Sequence, residues 1–125
     1  VSVDDGTVIC PIEYSGMQLA YADTNQSITV LMFSINPVAD TYRMTITDKN
    51  GTLIADKTFD AGISQLAVFD GYVYFVADRG VVRIEPITME YQLLECATQG
   101  KSLLITDKNE VLLCGGQSAA YYKFN

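Results

Sequence analysis

Four stretches carry the residue types that chemistry needs. Asp48-Lys49-Asn50-Gly51 opens like a calcium loop, with oxygen ligands at alternate positions and a glycine behind them. The third acidic position and the distal bidentate Glu are missing, and an Asp-led turn accounts for all four residues. Asn25-Gln26-Ser27 and Asn50-Gly51-Thr52 match the glycosylation acceptor, yet hairpin turns favour Asn by themselves. Gly115-Gly116 follows an apolar run as a phosphate cradle would, but no Walker lysine succeeds it, so it reads as a tight turn. Paired carboxylates for glycoside hydrolysis need two acids roughly 5 to 10 Å apart, and Asp40, Asp60 and Asp78 are the candidates. Surface solvation explains these three as well.

The chain contains no histidine, which removes Ser-His-Asp and Cys-His nucleophiles, imidazole bases and histidine-ligated zinc. Chemistry would rest on carboxylate, lysine or tyrosine. Tryptophan is absent too, and the eight tyrosines are weaker stacking platforms. Fifteen acidic residues against eight basic ones give a net charge of -7, which works against nucleic acid. No cofactor and no metal site is expected.

Cys10, Cys96 and Cys114 form no C-x-x-C pair, and each sits in or beside an apolar run. They are expected to be small buried hydrophobes, with one disulfide plus a free thiol as the alternative. No apolar stretch approaches the roughly 20 residues of a membrane helix. The start, VSVDDG, has neither an initiator Met nor a signal-peptide pattern and reads as a segment excised from a longer protein.

The elements that position these groups are strands. β-branched and aromatic runs such as TVICPIEY (7–14), SITVLMFSI (27–35), TYRMTITD (41–48) and YVYFVA (72–77) are cut by Asp, Asn and Gly. Several are apolar at consecutive positions, as in sheets covered on both faces. TMEYQLLECATQG (88–100) also fits a helix through Met89, Leu93, Cys96 and Ala97, but its all-β surroundings favour a strand over 90–96.

Turns recur in two kinds. Asp-led turns join apolar strands at Asp23, Asp70 and Asp107, 47 and 37 residues apart. A second kind lies at 48–51 and is answered at 85–88. The pentapeptide ITDKN occurs at 46–50 and again at 105–109, one hairpin chemistry used in two places. A period near 40 holding four short strands is what radial repetition of β-sheets produces. The expected fold class is therefore all-β, about three four-stranded antiparallel propeller-type blades, with a β-sandwich or barrel as the alternative. The blades cover 17–58, 63–96 and 101–124; the third lacks its outer strand, and 1–16 is a strand of a preceding or closing blade. Closed propellers have about four to eight blades, so three do not close a ring and two copies would complete six.

MTITDKNGTLIADKTF followed by LAVFDGYVYFVADRGVVRIEP resembles the repeats of WD40-like and quinoprotein-like β-propellers. The resemblance covers most of residues 17–124 and is nearest to uncharacterised membrane-anchored propeller proteins of Gram-positive bacteria. It implies an extracytoplasmic or cell-surface scaffold, with a cytoplasmic place as the alternative. The chain departs from WD40 repeats in lacking Trp-Asp and Gly-His pairs, and from quinone-dependent dehydrogenases in lacking tryptophan docking motifs. Neither WD40 partner binding nor quinone chemistry is carried over.

On a propeller one rim gathers 36–40, 60–62, 78–80, 97–101 and 115–118. That rim holds Asp40, Asp78, Arg79 and Gln117, the expected ligand-binding residues. The leading functional expectation is a non-catalytic scaffold or a module binding a protein or small ligand. The alternatives are a carboxylate-dependent hydrolase completed by further blades or a second chain, and a structural domain that pairs with its own copies through strand edges.

Overall fold

The computed structural model describes residues 18–25, 27–36, 38–97 and 102–124. The strand expected over TVICPIEY, and Cys10 within it, lie outside the described residues.

Alternating and consecutive apolar residues produce eleven strands among the described residues, all antiparallel to their neighbours. The first sheet contains β1 (Gln18–Thr24), β2 (Ile28–Asn36), β3 (Thr41–Asp48) and β4 (Leu53–Asp60), in sequence order. The second is β5 (Ile63–Phe69), β6 (Tyr72–Ala77), β7 (Gly80–Ile84) and β8 (Tyr91–Glu95). A third sheet of β9 (Ser102–Asp107), β10 (Glu110–Cys114) and β11 (Ala119–Lys123) has three strands. The described residues include no helix, and none is long and apolar enough to cross a membrane. Residues 91–95 are strand, which settles the one ambiguous segment in favour of β.

The turns follow from their residues. Asp70 and Gly71 both have positive φ, 48° and 80°, the pairing a two-residue I′ hairpin demands, and Asp tolerates the left-handed region better than most side chains. Asp48 accepts the N–H groups of Asn50 and Thr52 at 2.8 and 2.9 Å, with Gly51 at φ 85°, so its carboxylate organises a turn. Gly80 has no tolerable substitute, because a Cβ there would lie 2.0 Å from the Leu94 carbonyl oxygen on β8.

Packing makes the sheets a stack. Val30, Met32, Met44 and Ile46 of the first sheet meet Ile63, Leu66, Val73, Phe75, Val82 and Ile84 of the second. The opposite face of the second sheet carries Tyr74, Val76 and Val81, which bury against Leu103, Val111, Leu113 and Phe124. β6 therefore shows one face to each neighbour, as its unbroken apolar run implies. Edge-to-face pairs cement both cores, Phe59 on Phe75 at 5.1 Å and Tyr74 on Phe124 at 6.1 Å.

The first strands of the sheets lie side by side and are bridged by side chains. Asp23 of β1 accepts the Val68 N–H of β5 at 2.7 Å, and Gln65 of β5 accepts the Leu103 N–H of β9. Arg83 of β7 ties the second sheet to the third from further out. Its guanidinium lies 4.8 and 4.4 Å from the Tyr72 and Phe124 ring centres and donates to the Lys108 carbonyl and the Asn109 and Gln92 side chains at 2.7–2.8 Å.

Cys96 and Cys114 are free thiols. Both are half-buried rather than buried outright, because Cys96 follows the end of β8 and Cys114 sits at the end of β10.

Candidate functional site

At one rim the chain enters and leaves the sheets through short connections, and a cleft of about 410 Å³ opens there. Its lining comes from all three sheets. Asp40 stands at the end of the β2–β3 connection, and Tyr42 follows on β3. Gly62, Ile63 and Ser64 start β5, Asp78 and Gly80 flank the β6–β7 turn, and Cys96 follows β8. Val76, Ala77 and Leu113 add apolar wall.

Local chemistry sets the Asp40 backbone and holds the Asp78 carboxylate. Asp40 holds φ 50°, a left-handed conformation that turns the chain sharply into β3. Asp78 accepts the Gly62 N–H at 3.2 Å, a bond that ties the β6–β7 turn to the start of β5. Glycine makes that approach available: a Cβ at position 62 would stand 2.5 Å from Asp78 Oδ1.

The electrostatics are one-sided. Burial raises the Tyr42 phenol above its ordinary value, and Tyr21, Asp40 and Asp78 push it further the same way. Tyr42 thus remains a neutral hydroxyl, able to donate or accept a hydrogen bond. Burial raises the Cys96 thiol, while a backbone hydrogen bond from Val81 opposes it, so Cys96 is not an activated nucleophile. No basic side chain lines the cleft among the described residues.

Of the four expected ligand-binding residues, the structure brings Asp40 and Asp78 into this one cleft. Arg79 sits in the same turn as Asp78, but its guanidinium pairs with Glu95 at the surface, and both side chains are mostly exposed. Gln117 lies exposed in the β10–β11 turn, apart from the cleft lining. Asp60 accepts a long 3.5 Å hydrogen bond from Thr41 and does not line the cleft. Gly62 belongs to the rim stretch 60–62 expected from the sequence, whereas Tyr42 and Ser64 lie outside every expected rim stretch. The Asp40-Thr41-Tyr42 proximity was the available signal for the tyrosine, since a residue beginning a strand next to a rim turn stands at that rim. Among the described residues no group of three or more Cys, Asp or Glu could hold a metal ion.

No family model and no curated protein matches the sequence. Solved structures do. HIRA(644-1017) superposes with a TM-score of 0.59 over 97% of this chain and 39% of that one, at 9% identity. KlHsv2, in a form whose loop 6CD is replaced by a Gly-Ser linker, gives 0.55 over 87% of this chain and 36% of that one, at 12% identity. Both are propeller proteins of the WD40 type. The three sheets are propeller-type blades. At such identities the likeness is one of fold alone. The chain spans well under half the length of either neighbour.

Proposed function

We propose that this chain is a non-catalytic binding module whose rim cleft takes a positively charged group of a protein or small-molecule partner. The observation that carries the reading is the convergence of Asp40 and Asp78 on one cleft with a neutral Tyr42 beside them and no basic residue in the lining. Two carboxylates match a guanidinium or an ammonium, and Tyr42 can hydrogen-bond the same ligand. Rim loops on a stacked-sheet scaffold are where propellers present such groups. The repeat pattern quoted above supports an extracytoplasmic place, among membrane-anchored propellers of Gram-positive bacteria.

Calorimetric titration with acetyl-arginine amide, against neutral acetyl-citrulline amide, tests the reading. The arginine probe should bind and the citrulline probe should not, and Asp40→Asn and Asp78→Asn should each weaken binding by about tenfold, the value of one charge-assisted hydrogen bond. Equal binding of both probes, or indifference to both substitutions, would refute it. Two carboxylates in one cleft also fit a carboxylate-dependent hydrolase. Turnover of an aryl glycoside, abolished by Asp78→Asn, would replace binding with that second reading.

A further inference from the structure

Arg79 stands at the edge of the cleft without entering it. Its chain neighbours Asp78 and Gly80 both line the cleft, and its own side chain does not. With Asp78 it forms the two-residue β6–β7 turn, because Ala77 and Gly80 on either side are paired across the hairpin. The Arg79 carbonyl accepts the N–H of Cys96, another lining residue, at 3.1 Å. That bond pins the backbone at the rim and leaves the long side chain as the part free to turn.

Carboxylates lie on both sides of that side chain. Outside the cleft is Glu95, the cross-strand partner of Gly80, which takes the guanidinium in an ion pair and a hydrogen bond. Inside are Asp78, one residue away in the same turn, and Asp40. Asp78 Oδ2 accepts the Gly62 N–H, whereas Asp78 Oδ1 and the Asp40 carboxylate accept no hydrogen bond among the described residues. Two carboxylates in a cleft with no basic lining attract any cation within reach, and Arg79 is the one that the backbone tethers there. Glu95 holds it only weakly, because the Arg79 and Glu95 side chains are 74% and 64% exposed and so solvated a pair is worth little.

We infer that Arg79 is a built-in competitor for the Asp40–Asp78 cleft, and that Glu95 is the positioning residue that keeps it out. The pair works as a gate: with Arg79 on Glu95 the cleft is open to an external cation, and with Arg79 on the aspartates it is filled from within. An external ligand and Arg79 exclude one another, so the apparent affinity falls by the fraction of chains in which Arg79 has turned inward. The gate rests on the reading of the cleft as a cation site, and a measurement without ligand separates the two.

Amide NMR and calorimetric titration of the full chain, Glu95→Gln, Arg79→Gln and the double variant test the inference. Both side chains are exposed, so the substitutions leave the fold intact. In the unliganded chain Glu95→Gln should shift the amides of Asp40 and Tyr42, on the first sheet, and the same change in the Arg79→Gln background should not. Acetyl-arginine amide should bind up to about fivefold more weakly to Glu95→Gln than to the parent, the most that a solvated pair gives. Arg79→Gln should bind it at least as tightly as the parent. The direct loss of the Glu95 charge is common to both backgrounds, so the difference between them isolates Arg79. A parent chain that ignores the probe would remove the cation reading, while the shifts, measured without ligand, still decide where Arg79 goes. Shifts at Asp40 and Tyr42 that are absent, or that persist in the Arg79→Gln background, would overturn the gate, as would equal weakening by Glu95→Gln in both backgrounds.

Discussion

Gly62 and Gly80 both line the cleft, yet their substitution should have very different consequences. A Cβ at position 80 meets the Leu94 backbone oxygen at 2.0 Å, and φ is already 152°. Backbone cannot yield cheaply, so Gly80→Ala should cost several kcal/mol, seen as a large drop in the urea midpoint. A Cβ at position 62 meets only the end of the Asp78 side chain. Gly62→Ala should therefore cost less than about 1 kcal/mol while displacing the carboxylate and weakening the arginine probe. Tyr42 supplies a pH signature. Its phenol is raised in the folded chain by burial, Tyr21, Asp40 and Asp78, so the unfolded chain ionises first as pH rises. The stability that Tyr42 contributes is complete below the ordinary tyrosine value of about 10 and is lost as pH climbs through the folded value. Denaturant midpoints above that pH should fall less steeply for Tyr42→Phe than for the parent. Asp78→Asn should move the phenolate absorbance transition to lower pH.

The strands show why so much of the fold was legible in the sequence and where legibility ended. β5, β6 and β10 begin and end where β-branched runs meet Asp, Gly or Asn, and the Asp-led hairpins at 23, 70 and 107 join consecutive strands. Residues 88–100 were ambiguous because Met89, Leu93 and Cys96 suit helical spacing. What decides them is tertiary: β8 pairs with β7 from Gly80↔Glu95 to Ile84↔Tyr91, a partner that no local pattern reveals. The site was half-legible for the same kind of reason. Rim membership follows from topology, so Asp40 and Asp78 were within reach; which rim groups share a cleft depends on side-chain direction, and Glu95 draws Arg79 away. Arg83 was missed because its partners Lys108 and Asn109 lie 25 and 26 residues on. It spans the second and third sheets, so Arg83→Met should lower stability by about 1–3 kcal/mol in urea unfolding, through orphaned acceptors and a lost cation between two rings.

Across the described residues, three sheets stacked face to face leave the middle one doubly covered and place rim connections of the first two, with Leu113 of the third, around one acidic cleft. Phe75 holds the first of the two cores together, and Phe75→Ala should cost about 3–5 kcal/mol. The net charge of -7 works against polyanions and agrees with the proposal that the cleft takes a cation. Amide NMR during titration with acetyl-arginine amide asks this most directly. The account predicts shifts concentrated at Asp40, Tyr42, Gly62 and Asp78. Shifts confined to the opposite rim, around Asp48 and Asp70, or none at saturating probe, would contradict it.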